Sequence, residues 1–301
     1  MFSRLTLAVT GAGPVEKMVT GTRPGRALAD RFVAGNTLDE AVAVTRRLNE
    51  EGFLVSLDLL GEEVRDQDSA LAATEEYLEC LERIGSDGLE ANISVKPTQL
   101  GLAIDESLAM TAIDRLGEMA ALRATTVTID MEDSRYTEAT IRLFEKGQAS
   151  HGNLGIAIQS CMRRTPSDLS RIVPLGGHIR LCKGAYVESP GVALTAKSDV
   201  DTAYATQLRL LMAATTTKPA LATHDGDLVA LARRLAKERV GEFEFQMLYG
   251  VRPDLQRQLI AEGFPLRVYL PFGSQWYPYL TRRLAERPAN AMLFVRALFG
   301  S

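Results

Sequence analysis

The sequence predicts an α/β protein, a (β/α)8 barrel preceded by N-terminal helices. Three observations lead there. Short β-prone runs recur from residue 53 to residue 271 with helix-like segments between them, the alternation expected of parallel βα units. The length of 301 residues suits one such barrel with a single large core. Polar and charged residues gather at the ends of the runs, and the carboxyl ends of the strands form the functional face of this architecture. The expected organisation is one catalytic domain over 1–301, with helices over 1–50 and the barrel over 51–301.

The first 50 residues read as helical throughout. GAGPVE at 11–16 is no dinucleotide motif, because Glu16 stands where a third glycine belongs and no strand precedes it. Thr37-Leu38-Asp39-Glu40 is a capping box that opens a helix running to about Glu51. The strands follow as FLVSLDLL (53–60), ANISVK (91–96), TTVTID (125–130), LGIAIQ (154–159), HIRLCKGAY (178–186), PALATH (219–224), FEFQML (243–248) and LRVYLP (266–271). Segments such as 69–85 and 201–217 have the composition of the intervening helices. The last strand is punctuated by Pro271-Phe272-Gly273, and Pro278 falls where the first turn of a helix tolerates a missing N–H. On that helix Tyr279, Arg282, Arg283 and Glu286 are spaced i, i+3, i+4, i+7 and share one stripe. Two guanidinium groups side by side make a receptor for a small carboxylate, since each offers a planar pair of donors and keeps its charge.

Composition narrows the partners. The formal charge is -4 and the basic residues are dispersed, so there is no electrostatic footprint for nucleic acid. Three cysteines (Cys80, Cys161, Cys182) and three histidines (His151, His178, His224) lack metal spacing, which predicts a reduced cytoplasmic protein with no metal. No run is apolar for the roughly 18 residues of a membrane span, and the N-terminus is a poor signal peptide.

Most candidate site residues lie at the run ends, with Arg180 in or after the fifth run, Glu244 and Gln246 inside the seventh and Tyr269 inside the eighth. The full set is Glu62, Lys96, Asp130 with Glu132 and Asp133, Gln159, Arg180, Lys183, Tyr186, His224 with Asp225, Glu244, Gln246 and Tyr269. A lysine at a strand end also fits a Schiff-base aldolase or lyase built on Lys96 or Lys183. A scaffold that grips an acidic peptide with its arginine helix is a third reading, but it leaves the other strand-end groups without a role.

DLLGE (58–62), RLCKGAYVE (180–188) and YLPFGSQWYPYLTRRLAE (269–286) together resemble the proline dehydrogenase family of flavin-dependent barrels, supported by TIDMED (128–133), ATHD (222–225) and FEFQMLYG (243–250). The resemblance covers about residue 50 to the end. It implies a monofunctional, FAD-dependent enzyme that oxidises proline to Δ1-pyrroline-5-carboxylate by hydride transfer to flavin N5. It further implies a quinone acceptor met at a membrane surface and a separate pyrroline-5-carboxylate dehydrogenase downstream. By motif, Arg282 and Arg283 would bind the proline carboxylate and Glu62 would pair with the arginine helix. Lys96, Asp130, Tyr269 and Tyr279 would line the substrate pocket, Lys96 and Asp130 as a charge pair, with Leu248 as an apolar wall. Gln159, Arg180, Lys183, Gly184, Ala185, Tyr186, His224, Gln246 and Glu286 would contact FAD. The departures are Cys182, where an aliphatic residue is expected, and Phe272, where tyrosine is frequent.

Overall fold

The structure, a computed structural model, describes residues 29–61 and 64–286, with the backbone alone over 282–286. Helix α1 (Leu38–Glu50) precedes the barrel. The units are β1 (Leu54–Leu59), α2 (Gln67–Ser86), β2 (Ala91–Val95), α3 (Glu106–Leu122), β3 (Val127–Ile129), α4 (Thr137–His151), β4 (Leu154–Gln159) and α5 (Thr165–Ile172). They continue with β5 (His178–Cys182), α6 (Lys197–Ala213), β6 (Lys218–Ala222), α7 (Gly226–Ala236), β7 (Glu244–Leu248), α8 (Pro253–Ala261), β8 (Leu266–Phe272) and α9 (Trp276–Glu286). The strands form a closed parallel barrel in chain order, β1 sealing it against β8 with Val55 opposite Val268.

Each strand alternates because its two faces meet different surroundings. Val55, Leu57, Ile93, Val127, Ile129, Ile156, Ile179, Leu181, Phe245 and Val268 join one apolar core with the inner faces of the helices. The alternate residues Ser56, Asp58, Asn92, Ser94, Thr128, Arg180, Glu244, Gln246 and Arg267 are also buried. They reach one another across the lumen, as when Arg180 of β5 donates to Ser94 of β2 at 2.9 Å. A buried polar lumen is tolerable because its members are hydrogen-bonded to each other.

The predicted capping box is present: the Thr37 hydroxyl accepts from Glu40 N at 3.3 Å, and the Glu40 carboxylate accepts from Thr37 N at 3.1 Å. The expectation of unbroken helix over 1–50 needs correction, since 30–37 is turn and extended chain, while 1–28 lie outside the described residues. Ala34 N donates to Pro271 O at 2.8 Å and Gly273 N to Gly35 O at 2.9 Å, so this segment is held along the end of β8 instead. Backbone partners on β8 and the positive φ of Gly35 (123°) compete with helix there. Likewise β8 runs one residue past the expected 266–271, to Phe272, and β5 ends at Cys182 instead of 186, ahead of a glycine turn.

Candidate active site

The centre of the site is Asp130, the first residue after β3. Its carboxylate accepts from Ser94 Oγ at 2.8 Å, from Arg180 Nη1 at 2.5 Å and from the Tyr269 hydroxyl at 2.7 Å. The Arg180 guanidinium carbon lies 5.1 Å from the centroid of the Tyr269 ring, within cation–π range. Burial, with Asp130 and Asp58 nearby, pushes the Tyr269 phenol well above its usual pKa, so it remains a neutral donor.

Lys96, just beyond β2, pairs with Asp58 of β1. The expected Lys96–Asp130 pair is therefore corrected: Asp130 is taken by Arg180, and Asp58 takes the ammonium. Burial works to lower the Lys96 pKa, but the Asp58 and Asp130 carboxylates outweigh it and hold the group above its usual value. Asp58, in the DLLGE motif, is a site candidate that position at a strand end does not single out. Its signal was the alternation of β1, which puts it in phase with Ser56 and hence in the lumen.

Around this centre, the β5–α6 loop carries Gly184, Ala185 and Tyr186, all exposed at the mouth. Gly184 has φ +116°, and a Cβ there would stand 2.3 Å from Cys161 Sγ and 3.0 Å from Gln159 Oε1, so the loop can take this path only with glycine. The Gln159 amide nitrogen donates to Glu132 O at 2.7 Å, while its carbonyl oxygen is buried without a hydrogen-bond partner. An orphaned acceptor beneath an open loop fits a ligand with an N–H edge, as a flavin has. Lys183 sits between Asp201 (2.5 Å) and Asp225 (2.9 Å), and Asp225 also caps α7. His224 Nε2 accepts from Leu248 N at 3.1 Å and so ties the ends of β6 and β7 together.

Gln246 has both ends of its amide engaged by protein, Arg180 at 2.6 Å and Glu244 at 2.6 Å, which places it beneath Arg180 rather than open to a ligand. Glu132 is not a free strand-end acid: it accepts from Thr98 N and Oγ1, and burial raises its pKa. The Cys182 thiol donates to Ile158 O at 3.3 Å, and burial pushes its pKa to about 12, as befits a small buried residue rather than a reactive thiol.

Tyr279 is buried in an apolar cluster with Phe32, Leu60, Trp276 and Leu280 that seats α9 on the barrel. The backbone of Arg282, Arg283 and Glu286 continues α9 as predicted, while their side chains and all of Glu62 lie outside the described residues. Among the described residues there is no cluster of His, Cys, Asp or Glu fit for a metal.

A family profile described as Proline dehydrogenase matches residues 41–296. Proline dehydrogenase 1 of Bacillus subtilis is 38% identical over 282 residues, 92% of each chain. The chain belongs to the proline dehydrogenase family. Proline dehydrogenase of Deinococcus radiodurans is 35% identical over 283 residues, 90% of each chain. Against the bifunctional protein PutA of Escherichia coli the identity is 29% over 311 residues, 24% of that longer protein, so the end-to-end likeness is to the stand-alone form. The fold is that of proline utilization A from Bdellovibrio bacteriovorus inactivated by N-propargylglycine, with a TM-score of 0.82, 22% identity, and coverage of 92% of this chain and 34% of that one. The chain is accordingly a proline dehydrogenase, an oxidoreductase of proline catabolism.

Proposed function

We propose that the chain oxidises L-proline to Δ1-pyrroline-5-carboxylate using non-covalently bound FAD. It would pass the electrons to a quinone and leave the second oxidation, to glutamate, to a separate pyrroline-5-carboxylate dehydrogenase. The observation that carries this reading is the pair of charge-balanced contacts at the mouth, Lys96–Asp58 and Arg180–Asp130, with the Tyr269 hydroxyl hydrogen-bonded to Asp130. A Schiff-base aldolase needs a neutral lysine amine. Lys96 is held protonated by its carboxylates, and Lys183 is ion-paired on two sides, which disfavours that reading.

FAD, when bound, supplies N5 as the acceptor of the hydride from the ring carbon next to the proline nitrogen. Gln159, Arg180, Lys183, the 184–186 loop, His224 and Glu286 would hold it, with Gln246 acting through Arg180. Arg282 and Arg283 would grip the substrate carboxylate, with Glu62 opposing one of them in the empty pocket. Tyr269 and Leu248 would border the ring and Tyr279 would brace α9. Orientation of this kind supplies up to ~7 kcal/mol of the barrier. Lys96, being protonated, cannot take the amine proton, and Asp130 already accepts three hydrogen bonds. Proline would therefore react as the neutral amine, and kcat/KM should rise about tenfold per pH unit below the amine pKa. A cytoplasmic enzyme touching the membrane surface would meet its quinone there; no described helix is long and apolar enough to cross a membrane.

The test is anaerobic mixing of the purified yellow protein with proline, followed by quinone. Proline should bleach the flavin and quinone restore it. Arg282→Met and Arg283→Met should each lower kcat/KM by about 10- to 150-fold through KM, the loss of one charge-assisted contact, with FAD retained. Absence of bleaching rejects the reading, and near-normal kinetics in both variants rejects the clamp.

A further inference from the structure

Below the mouth, a polar column continues down the lumen through Arg180 of β5, Gln246 and Glu244 of β7 and Arg267 of β8, none more than 7% exposed. Arg267 meets Glu244 through two parallel contacts, Nε to Oε1 at 2.8 Å and Nη2 to Oε2 at 3.1 Å, and its Nη1 donates to Val55 O at 2.8 Å. The same Glu244 Oε1 accepts from Gln246 Nε2 at 2.6 Å, and Gln246 Oε1 accepts from Arg180 Nε at 2.6 Å. The other side of Arg180 is spent at the mouth, Nη1 donating to Ser94 and Asp130.

The direction of this chain is forced. A guanidinium can only donate and an ionised carboxylate can only accept. Burial works to raise the Glu244 pKa, but Arg267 outweighs it and holds the group down to about 2, so it is ionised at neutral pH. The Gln246 amide can then sit one way only, nitrogen toward Glu244 and oxygen toward Arg180; reversed, donor would face donor and acceptor would face acceptor. Gln246 is also neutral, so it passes on orientation without offering Arg180 a second carboxylate to compete with Asp130.

We propose that Glu244, with Arg267 as its counter-ion, is a positioning residue for Arg180: it fixes the Gln246 amide, which holds the Arg180 guanidinium against Asp130 under Tyr269. A buried ion pair replaced by apolar residues of similar size is often neutral or stabilising, so stability alone is a weak reason for placing four polar groups here. The catalytic consequence rests on the function proposed above; the positioning itself does not.

The test compares the flavin-loaded protein with the double variant Glu244→Met/Arg267→Met, which removes the tether and its counter-charge together. The readout is hydrogen exchange with water at Arg180 Nε, followed by nitrogen-15 NMR and assigned by loss of the signal in Arg180→Lys. With the melting temperature retained, exchange should accelerate by at least about tenfold, as expected when a buried hydrogen bond loses its support. In parallel, kcat for proline should fall about tenfold with KM within about twofold, because the carboxylate grip lies elsewhere. Unchanged exchange in the folded variant overturns the proposal, whatever happens to kcat. Wild-type protein that does not oxidise proline overturns the function and leaves the exchange result to judge the positioning. If the double variant does not fold, the wild type decides: the Gln246 amide hydrogen given to Glu244 should be among the slowest-exchanging side-chain amides, and rapid exchange overturns the proposal.

Discussion

His178 opens β5 at the foot of the lumen, with its Nδ1 buried and without a hydrogen-bond partner. Burial pushes the imidazole down to about 4 from 6.5; Glu244 opposes this, but Arg267, Lys218 and Arg180 add to it. Between those pH values the unfolded chain binds a proton that the folded chain does not, so stability rises with pH across this window and is lost as pH falls. The full difference is on the order of 3 kcal/mol. Glu244 acts in the same direction further down, its contribution being lost as pH falls from 4.5 toward about 2. The urea midpoint should therefore drop from pH 6.5 to pH 4, and His178→Gln should flatten that part of the curve; an unchanged slope would assign the drop to other groups. At the mouth, Tyr269→Phe removes the hydroxyl given to Asp130 and should lower kcat/KM about tenfold without loss of FAD. Gly184→Ala should cost flavin binding, read as a weaker dissociation constant, because its Cβ would displace Cys161 and Gln159.

Among the elements, α3, α4 and α5 are joined outside the barrel by a band of charges. Glu138 of α4 meets Arg171 at 3.1 Å and also pairs with Arg164; Arg142 meets Glu106 at 2.5 Å, and Arg171 meets Glu145 at 2.9 Å. Hydrogen bonds from Arg164, followed by those from Arg171, hold the Glu138 carboxyl below its usual range. Exposed pairs are individually weak, about 1 kcal/mol or less, and they are screened by salt. Glu138→Gln should lower the melting temperature by about 2 °C at low ionic strength, and the gap should close in concentrated salt. A gap that ignores salt would mean that the contacts act by shape rather than charge. The elements themselves were largely legible. The Thr37–Glu40 capping box, the eight strands and Pro278 at the start of α9 lie where local pattern put them, because caps, period and proline act within a few residues. The break at 30–37 was not legible, since its backbone partners, Pro271 and Gly273, are more than 230 residues away in the chain.

For the whole molecule, the apolar layer between strands and helices supplies the core, and the lumen is left to polar groups that end at the mouth. Under the proposed function flavin is held at the barrel mouth, and because the three histidines and three cysteines are scattered and none sits in a flavin-attachment context, it should bind without a covalent link. Acid precipitation should leave a colourless pellet and a yellow supernatant; colour kept in the pellet would show attachment to the chain.

The sequence by itself determined the barrel, the order of its strands and the family, and it put forward Asp130, Arg180, Lys96 and Tyr269 as candidates for one site. These follow from periodicity and from motifs, both local in the chain. Which charge meets which was decided only by the tertiary structure. Lys96 belongs to Asp58, Asp130 to Arg180, and Gln246 to Arg180 and Glu244, because barrel closure sets the distance between side chains from strands that are not neighbours. Arg267 shows the difference most clearly. In the sequence it is a lone charge inside LRVYLP; folded, it is the buried counter-ion at the base of the column beneath the candidate site.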